Sequence, residues 1–91
     1  MEKRILLIDD EPALRRNLTM FLLQENYEVE PCESGLKGLN KLEMYRKTGL
    51  SVDCVITDLR LPDIDGIKLL KVIKNKYPQI PVIIISGYGN N

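Results

Sequence analysis

The chain has 91 residues, room for one domain and not two, and a chain of this size buries only about 60–65 % of the surface its unfolded form exposes. Thirteen basic residues balance thirteen acidic ones, which excludes a global electrostatic pull on nucleic acid or on an anionic membrane. There is no histidine, and the two cysteines, Cys32 and Cys54, are too sparse a donor set for a zinc-type site.

Ile5-Leu6-Leu7-Ile8 is a short apolar run closed by Asp9-Asp10, the pattern of a strand buried on both faces. Pro12 follows in the first turn of a helix, where proline is tolerated. Leu14, Leu18, Phe21 and Leu22 give that helix an apolar stripe, and Asn26 stops it. Tyr27 to Glu30 alternates apolar and acidic residues, as a strand exposed on one face does. Ser34 is placed to cap a second helix. Leu36, Leu39, Leu42 and Tyr45 form its face, and Gly49 ends it.

Val52 to Thr57 reads as another buried strand, closed by Asp58. Cys54 lies within it and is expected to be a small buried hydrophobe, not half of a disulfide. Asp58 to Gly66 is a loop containing Pro62. Ile67, Leu70, Ile73 and Tyr77 mark a third helix, which Pro78 stops. Pro81-Val82-Ile83-Ile84-Ile85 is a further buried strand, and Ser86-Gly87-Tyr88-Gly89 a loop. Strands alternating with helices predict an α/β fold: a parallel sheet with helices on both faces and right-handed crossovers. Arg4 interrupts the start, Ile5–Ile8 is too short for the core of a signal peptide, and no apolar stretch reaches membrane-spanning length. A cytoplasmic protein is expected.

Two of the strands end in aspartate. Ligands of open parallel sheets bind beyond the carboxyl ends of the strands, where the strand order reverses. If the strands ending at Asp9-Asp10 and at Asp58 are neighbours, three carboxylates converge there. Each aspartate alone could simply close a strand, and Asp10 and Glu11 could cap the helix that follows. Together they repel one another unless a cation joins them. Oxygen donors without His or Cys select a hard cation, and Mg²⁺ suits a few carboxylates with several retained waters. A carboxylate beside Mg²⁺ can take a phosphoryl group as an acyl phosphate.

Two blocks carry a family resemblance. Arg4-Ile5-Leu6-Leu7-Ile8-Asp9-Asp10-Glu11 looks like the opening of response regulator receiver domains of two-component signalling. Val52-Asp53-Cys54-Val55-Ile56-Thr57-Asp58-Leu59-Arg60-Leu61-Pro62-Asp63-Ile64-Asp65-Gly66 resembles their acceptor segment, with the aspartate four residues before a proline and eight before a glycine. The resemblance spans the whole chain. It implies a flavodoxin-like (CheY-like) doubly wound sheet in the order 2-1-3-4, and a phospho-accepting module, not a classical enzyme. It implies Asp58 as phospho-acceptor, a Mg²⁺ site of Asp9, Asp10, Asp58 and the main-chain carbonyl of Arg60, and Ser86 as the switch hydroxyl. By itself, Ser86 reads as a turn residue before Gly87. The implied partners are a sensor histidine kinase and a downstream output domain. Ser86-Gly87-Tyr88-Gly89-Asn90 resembles the same loop in receivers attached to ATPase-type transcription activators, so that output domain is expected to bind DNA.

Such domains continue through another helix, a fifth strand ending in a lysine, and a last helix. Here Lys68, Lys71, Lys74 and Lys76 all fall on the third predicted helix, and none matches that lysine. Residues 1–91 are therefore expected to be the N-terminal part of a receiver, with slower phosphorylation and an uncoupled switch. An unpaired fourth strand would favour self-association through residues 81–88. Two alternatives compete. A Mg²⁺-dependent aspartate-nucleophile phosphohydrolase would carry a second Asp two residues after the nucleophile, where this chain has Arg60. A pseudo-receiver binding module fits the missing lysine but not the intact set Asp9, Asp10 and Asp58.

Overall fold

A computed structural model of the chain describes residues 2–85. Along them run β1 (Arg4–Ile8), α1 (Pro12–Gln24), β2 (Glu28–Cys32), α2 (Gly35–Thr48), β3 (Cys54–Asp58), α3 (Gly66–Lys76) and β4 (Val82–Ile85). The strands form one parallel sheet in the order β2-β1-β3-β4. The 2-1-3-4 order and the CheY-like doubly wound architecture are as expected.

The central strand is the most apolar and the most deeply buried: Leu6, Leu7 and Ile8 have no accessible surface. Alternation along the strands sends Leu6, Ile8 and Val55 to one face. There they pack with Leu42 and Tyr45 of α2 and Leu69 and Ile73 of α3 in the main core. The opposite face holds α1 against β1 and β2. Ser34 caps α2 by accepting the Lys37 amide at 3.2 Å, and Gly49 closes it in the left-handed region at φ 80°, as the sequence predicts.

Other expectations shift. β2 starts after Tyr27, because the end of α1 wraps back on itself. Asn26 adopts φ 70°, and the Tyr27 amide donates to the Leu22 carbonyl at 3.1 Å. Pro31, which lacks an N–H, is tolerated in β2 because that strand lies at the sheet edge. On α1, only Leu22 of the expected stripe is buried, and Phe21 is 57 % exposed. On α3 the buried residues are Gly66, Leu69 and Ile73, while Ile67 is exposed. That helix begins at Gly66 pressed against the sheet, which rotates its inward stripe away from Ile67 and Leu70. β4 forms but is not buried on both faces. Among the described residues its sole strand neighbour is β3, and Ile83 is 50 % exposed.

Candidate functional site

Pairing of β1 with β3 brings Ile8 opposite Thr57, so the chain positions that follow, Asp9 and Asp58, emerge together from adjacent strands. Carboxylate oxygens of Asp9, Asp10 and Asp58 all lie within 4.8 Å of one another. Asp9 and Asp58 are buried, and Asp10 is exposed. The three aspartates singled out at the strand ends thus converge.

Asp9 is held from three directions. Its amide donates to the Cys32 carbonyl at 3.0 Å. Its carbonyl accepts the Arg15 guanidinium at 2.7 Å, and its Oδ1 accepts the Glu11 amide at 2.8 Å. Its Oδ2 is buried with no hydrogen-bond donor. Burial pushes the Asp9 carboxyl above its ordinary range, with added repulsion from Asp58, Asp10 and Glu11, and the Glu11 amide opposes the rise. A buried, unpaired carboxylate oxygen is costly. A cation beside it would relieve both the desolvation and the repulsion. The donors are all carboxylates, which fits Mg²⁺.

The competing role for these acids as helix caps is not realised. Glu11 occupies the capping position of α1 and makes no side-chain capping bond.

Asp58 ends β3. The amide that follows it, Leu59 N–H, donates to the Ile85 carbonyl at 2.9 Å, and the buried Thr57 hydroxyl donates to the Asp58 carbonyl at 3.1 Å. The Arg60 amide lies 3.4 Å from Asp58 Oδ1, so the backbone at Arg60 stands beside the Asp58 carboxylate. Arg60 also bridges to Asp65 in antiparallel fashion, and the Gly66 amide donates to the Leu59 carbonyl at 2.9 Å. Gly66 is needed for space, not for a turn. A Cβ there would stand 2.5 Å from the Leu59 carbonyl oxygen and 2.9 Å from that of Asp58. Ser86 lies outside the described residues.

Sequence reasoning missed Arg15 and Asp63. Arg15 is a helix residue that returns to the Asp9 carbonyl, and nothing in its spacing announces the contact. Asp63 receives the Gly35 amide at 3.0 Å and the Leu36 amide at 2.8 Å, partners that only the folded chain brings near. The two cysteines are free, and burial pushes the Cys32 thiol up to about 11, so it is a packing residue, not a nucleophile. Among the described residues no helix is long and apolar enough to cross a membrane.

Residues 5–91 match the family model of the response regulator receiver domain. The chain is 40 % identical over 86 residues to the transcriptional regulatory protein GlrR of Escherichia coli, covering 94 % of this chain and 18 % of that protein. A CheY-like response regulator receiver domain protein from Methanospirillum hungatei superposes with a TM-score of 0.86 at 31 % identity, covering 99 % of this chain and 68 % of that one. The response regulator protein TrrA from Thermotoga maritima, solved in complex with Mg(2+)-BeF, gives 0.83 at 33 % identity, covering 96 % and 71 %. With the fold, the strand order and the family match in agreement, the chain belongs to the response regulator receiver domain family, the signalling modules of two-component systems.

Proposed function

We propose that Asp58 accepts a phosphoryl group from a phospho-histidine kinase, with Mg²⁺ held by Asp9, Asp10, Asp58 and the main-chain carbonyl of Arg60. The observation that carries this reading is the convergence of three carboxylates around a buried Asp9 Oδ2 that has no donor. One Asp58 oxygen attacks phosphorus. An O–P bond forms as the donor's N–P bond breaks, and the electron pair leaves with the imidazole nitrogen. The metal, when bound, supplies positive charge against the equatorial phosphoryl oxygens.

The chain's own residues provide the positioning. The Glu11 amide fixes Asp9 Oδ1 and leaves Oδ2 for the cation. The amide of Leu59, tied to β4, anchors the backbone beside the acceptor. The arrangement asks little covalent chemistry of the protein, as positioning and charge neutralisation suffice for phosphoryl transfer.

The same proposal takes residues 1–91 as part of a receiver domain acting in the cytoplasm, with Ser86 as the hydroxyl that hydrogen-bonds the new phosphoryl group. The chain spans 18 % of the length of GlrR, a transcriptional regulator. By that likeness the partners are a sensor histidine kinase and a DNA-binding output domain. Self-association through β4 is the remaining part of the proposal.

Acetyl phosphate tests it. With Mg²⁺ present, mass spectrometry of peptides is expected to show one phosphoryl group on Asp58, lost in Asp58→Asn and on chelation of the metal. Label on another residue, or undiminished label in Asp58→Asn, refutes the assignment.

A further inference from the structure

The loop from Leu59 to Asp65 carries both the backbone beside the acceptor and the carbonyl assigned to the metal. Its stem is closed by the Gly66 amide on the Leu59 carbonyl and by the bridge between Arg60 and Asp65. Its tip is fastened elsewhere. Asp63 Oδ1 accepts the Gly35 amide at 3.0 Å and Oδ2 the Leu36 amide at 2.8 Å, two of the first free donors of α2.

Ser34 caps the same helix at the Lys37 amide, and Asp63 takes two further amides of its first turn. A bidentate acceptor from a loop 28 residues away also ties that loop to the helix. The apolar underside of the tip follows the same path. Leu61 and Ile64 pack on the main core. Ile64 Cγ2 occupies the space that a Cβ on Gly35 would fill, so the absence of a side chain at Gly35 lets the tip settle on the helix. The hydrogen bonds from the helix amides, and the positive end of the helix dipole, favour a carboxylate at this point. Those bonds hold the Asp63 carboxyl below its ordinary range, against the effect of burial.

We infer that Asp63 is a positioning residue for the metal site: by clamping the acceptor loop to the start of α2 it fixes the Arg60 carbonyl against the three aspartates. The inference rests on the metal reading proposed above. It also joins the two sides of the site through backbone. β2, which leads into α2, holds the Asp9 amide through the Cys32 carbonyl, so Asp9 and the acceptor loop are referred to the same segment, residues 32–36.

Calorimetric Mg²⁺ titration and amide hydrogen exchange test the idea on the 91-residue protein. Asp63→Ala is expected to weaken Mg²⁺ binding roughly tenfold, the low end for a residue that supports a metal ligand from outside. Asp63→Asn, which keeps one acceptor oxygen, falls between. Exchange at Arg60 and Leu61 is expected to quicken in Asp63→Ala without metal. Leu22→Ala, a change at a buried residue of α1 outside the core that the loop packs on, controls for lost stability and leaves Mg²⁺ affinity unaltered. Wild-type affinity and wild-type Arg60 exchange in both Asp63 variants would overturn the inference and leave Asp63 a helix cap. If the unmodified protein itself binds no Mg²⁺, the metal reading falls and the link from Asp63 to the metal falls with it. Exchange at Arg60 then still separates a clamped loop from an unclamped one.

Discussion

At the scale of the residue, Asp9 is the least comfortable group among the described residues. It has no accessible surface, one of its oxygens has no donor, and Asp58 and Asp10 stand within a few ångströms. Its carboxyl is raised chiefly by burial. A folded-state pKa above the unfolded one means that the folded chain holds the proton more tightly. Without metal, the stability this confers is fully present below the ordinary value of 3.8 and is lost as pH rises through the raised value. Asp9→Asn removes the penalty while its side-chain oxygen can still accept the Glu11 amide. In chelator at neutral pH, that variant is expected to be more stable than the parent by on the order of 1 kcal/mol, an advantage that disappears as pH falls toward 3.8. Added Mg²⁺ should then stabilise the parent by mass action and leave Asp9→Asn unchanged. Urea unfolding with and without the metal measures both effects. A parent that is more stable than Asp9→Asn in chelator would show that the Asp9 charge is already compensated by the protein.

At the scale of the element, the junction of β3 with α3 shows how a helix start is used to place a strand end. Asp65 caps α3 by accepting the Ile67 amide at 2.7 Å, and Gly66 then rests on the backbone of Asp58 and Leu59. Gly66→Ala forces its Cβ against two carbonyl oxygens that cannot rotate away. A cost of about 1–3 kcal/mol is expected, as for overpacking generally, with a larger fractional loss of Asp58 labelling than of folded protein. Ile73→Val provides the comparison at matched stability. Equal label per folded molecule would mean that the close approach serves packing alone. The same junction marks the boundary of what the sequence discloses. Strands β1 and β3 are legible because a continuous apolar run meets an aspartate at each carboxyl end, and their pairing brings the carboxylates together. The caps Ser34 and Gly49 are legible because their partners are local. The inward face of α3 is not. Ile67 and Leu70 are as apolar as Leu69, and the choice between them is made by where Gly66 meets the sheet. Asp63 is illegible for a related reason, since its partners Gly35 and Leu36 lie on another element and the local pattern shows only a turn-former after Pro62.

At the scale of the whole molecule, the sheet is unevenly covered. The face formed by Leu6, Ile8 and Val55 is closed by α2 and α3. On the other face α1 packs over β1 and β2, while Ile56 and Cys54 are partly exposed and Ile83 is half exposed. Ile5, Leu22, Tyr27, Cys54, Ile56 and Ile83 line a groove there. Among the described residues β4 has β3 on one side and no strand on the other. Its sequence, Val82-Ile83-Ile84-Ile85, has high β-propensity, no charge and no proline within it. An uncharged apolar edge is a template for pairing with another chain, and burial of half-exposed isoleucines would drive it. Residues 86–88 of the segment first expected to take part lie outside the described residues, so the expectation rests on 82–85. A polypeptide of these 91 residues is expected to associate as concentration rises, with β4 of one copy against β4 of another. Ile83→Lys places a charge on the exposed apolar face of the edge strand and leaves the Leu6, Ile8 and Val55 face untouched, so it should shift the species toward monomer without unfolding it. Sedimentation velocity across a dilution series, run beside far-ultraviolet circular dichroism, measures both. If the parent stays monomeric at every concentration and unfolds cooperatively, the edge is tolerated and the self-association part of the proposal is wrong. Association that persists unchanged in Ile83→Lys would move the contact away from β4, with the exposed Met20, Phe21 and Leu23 of α1 the next surface to vary.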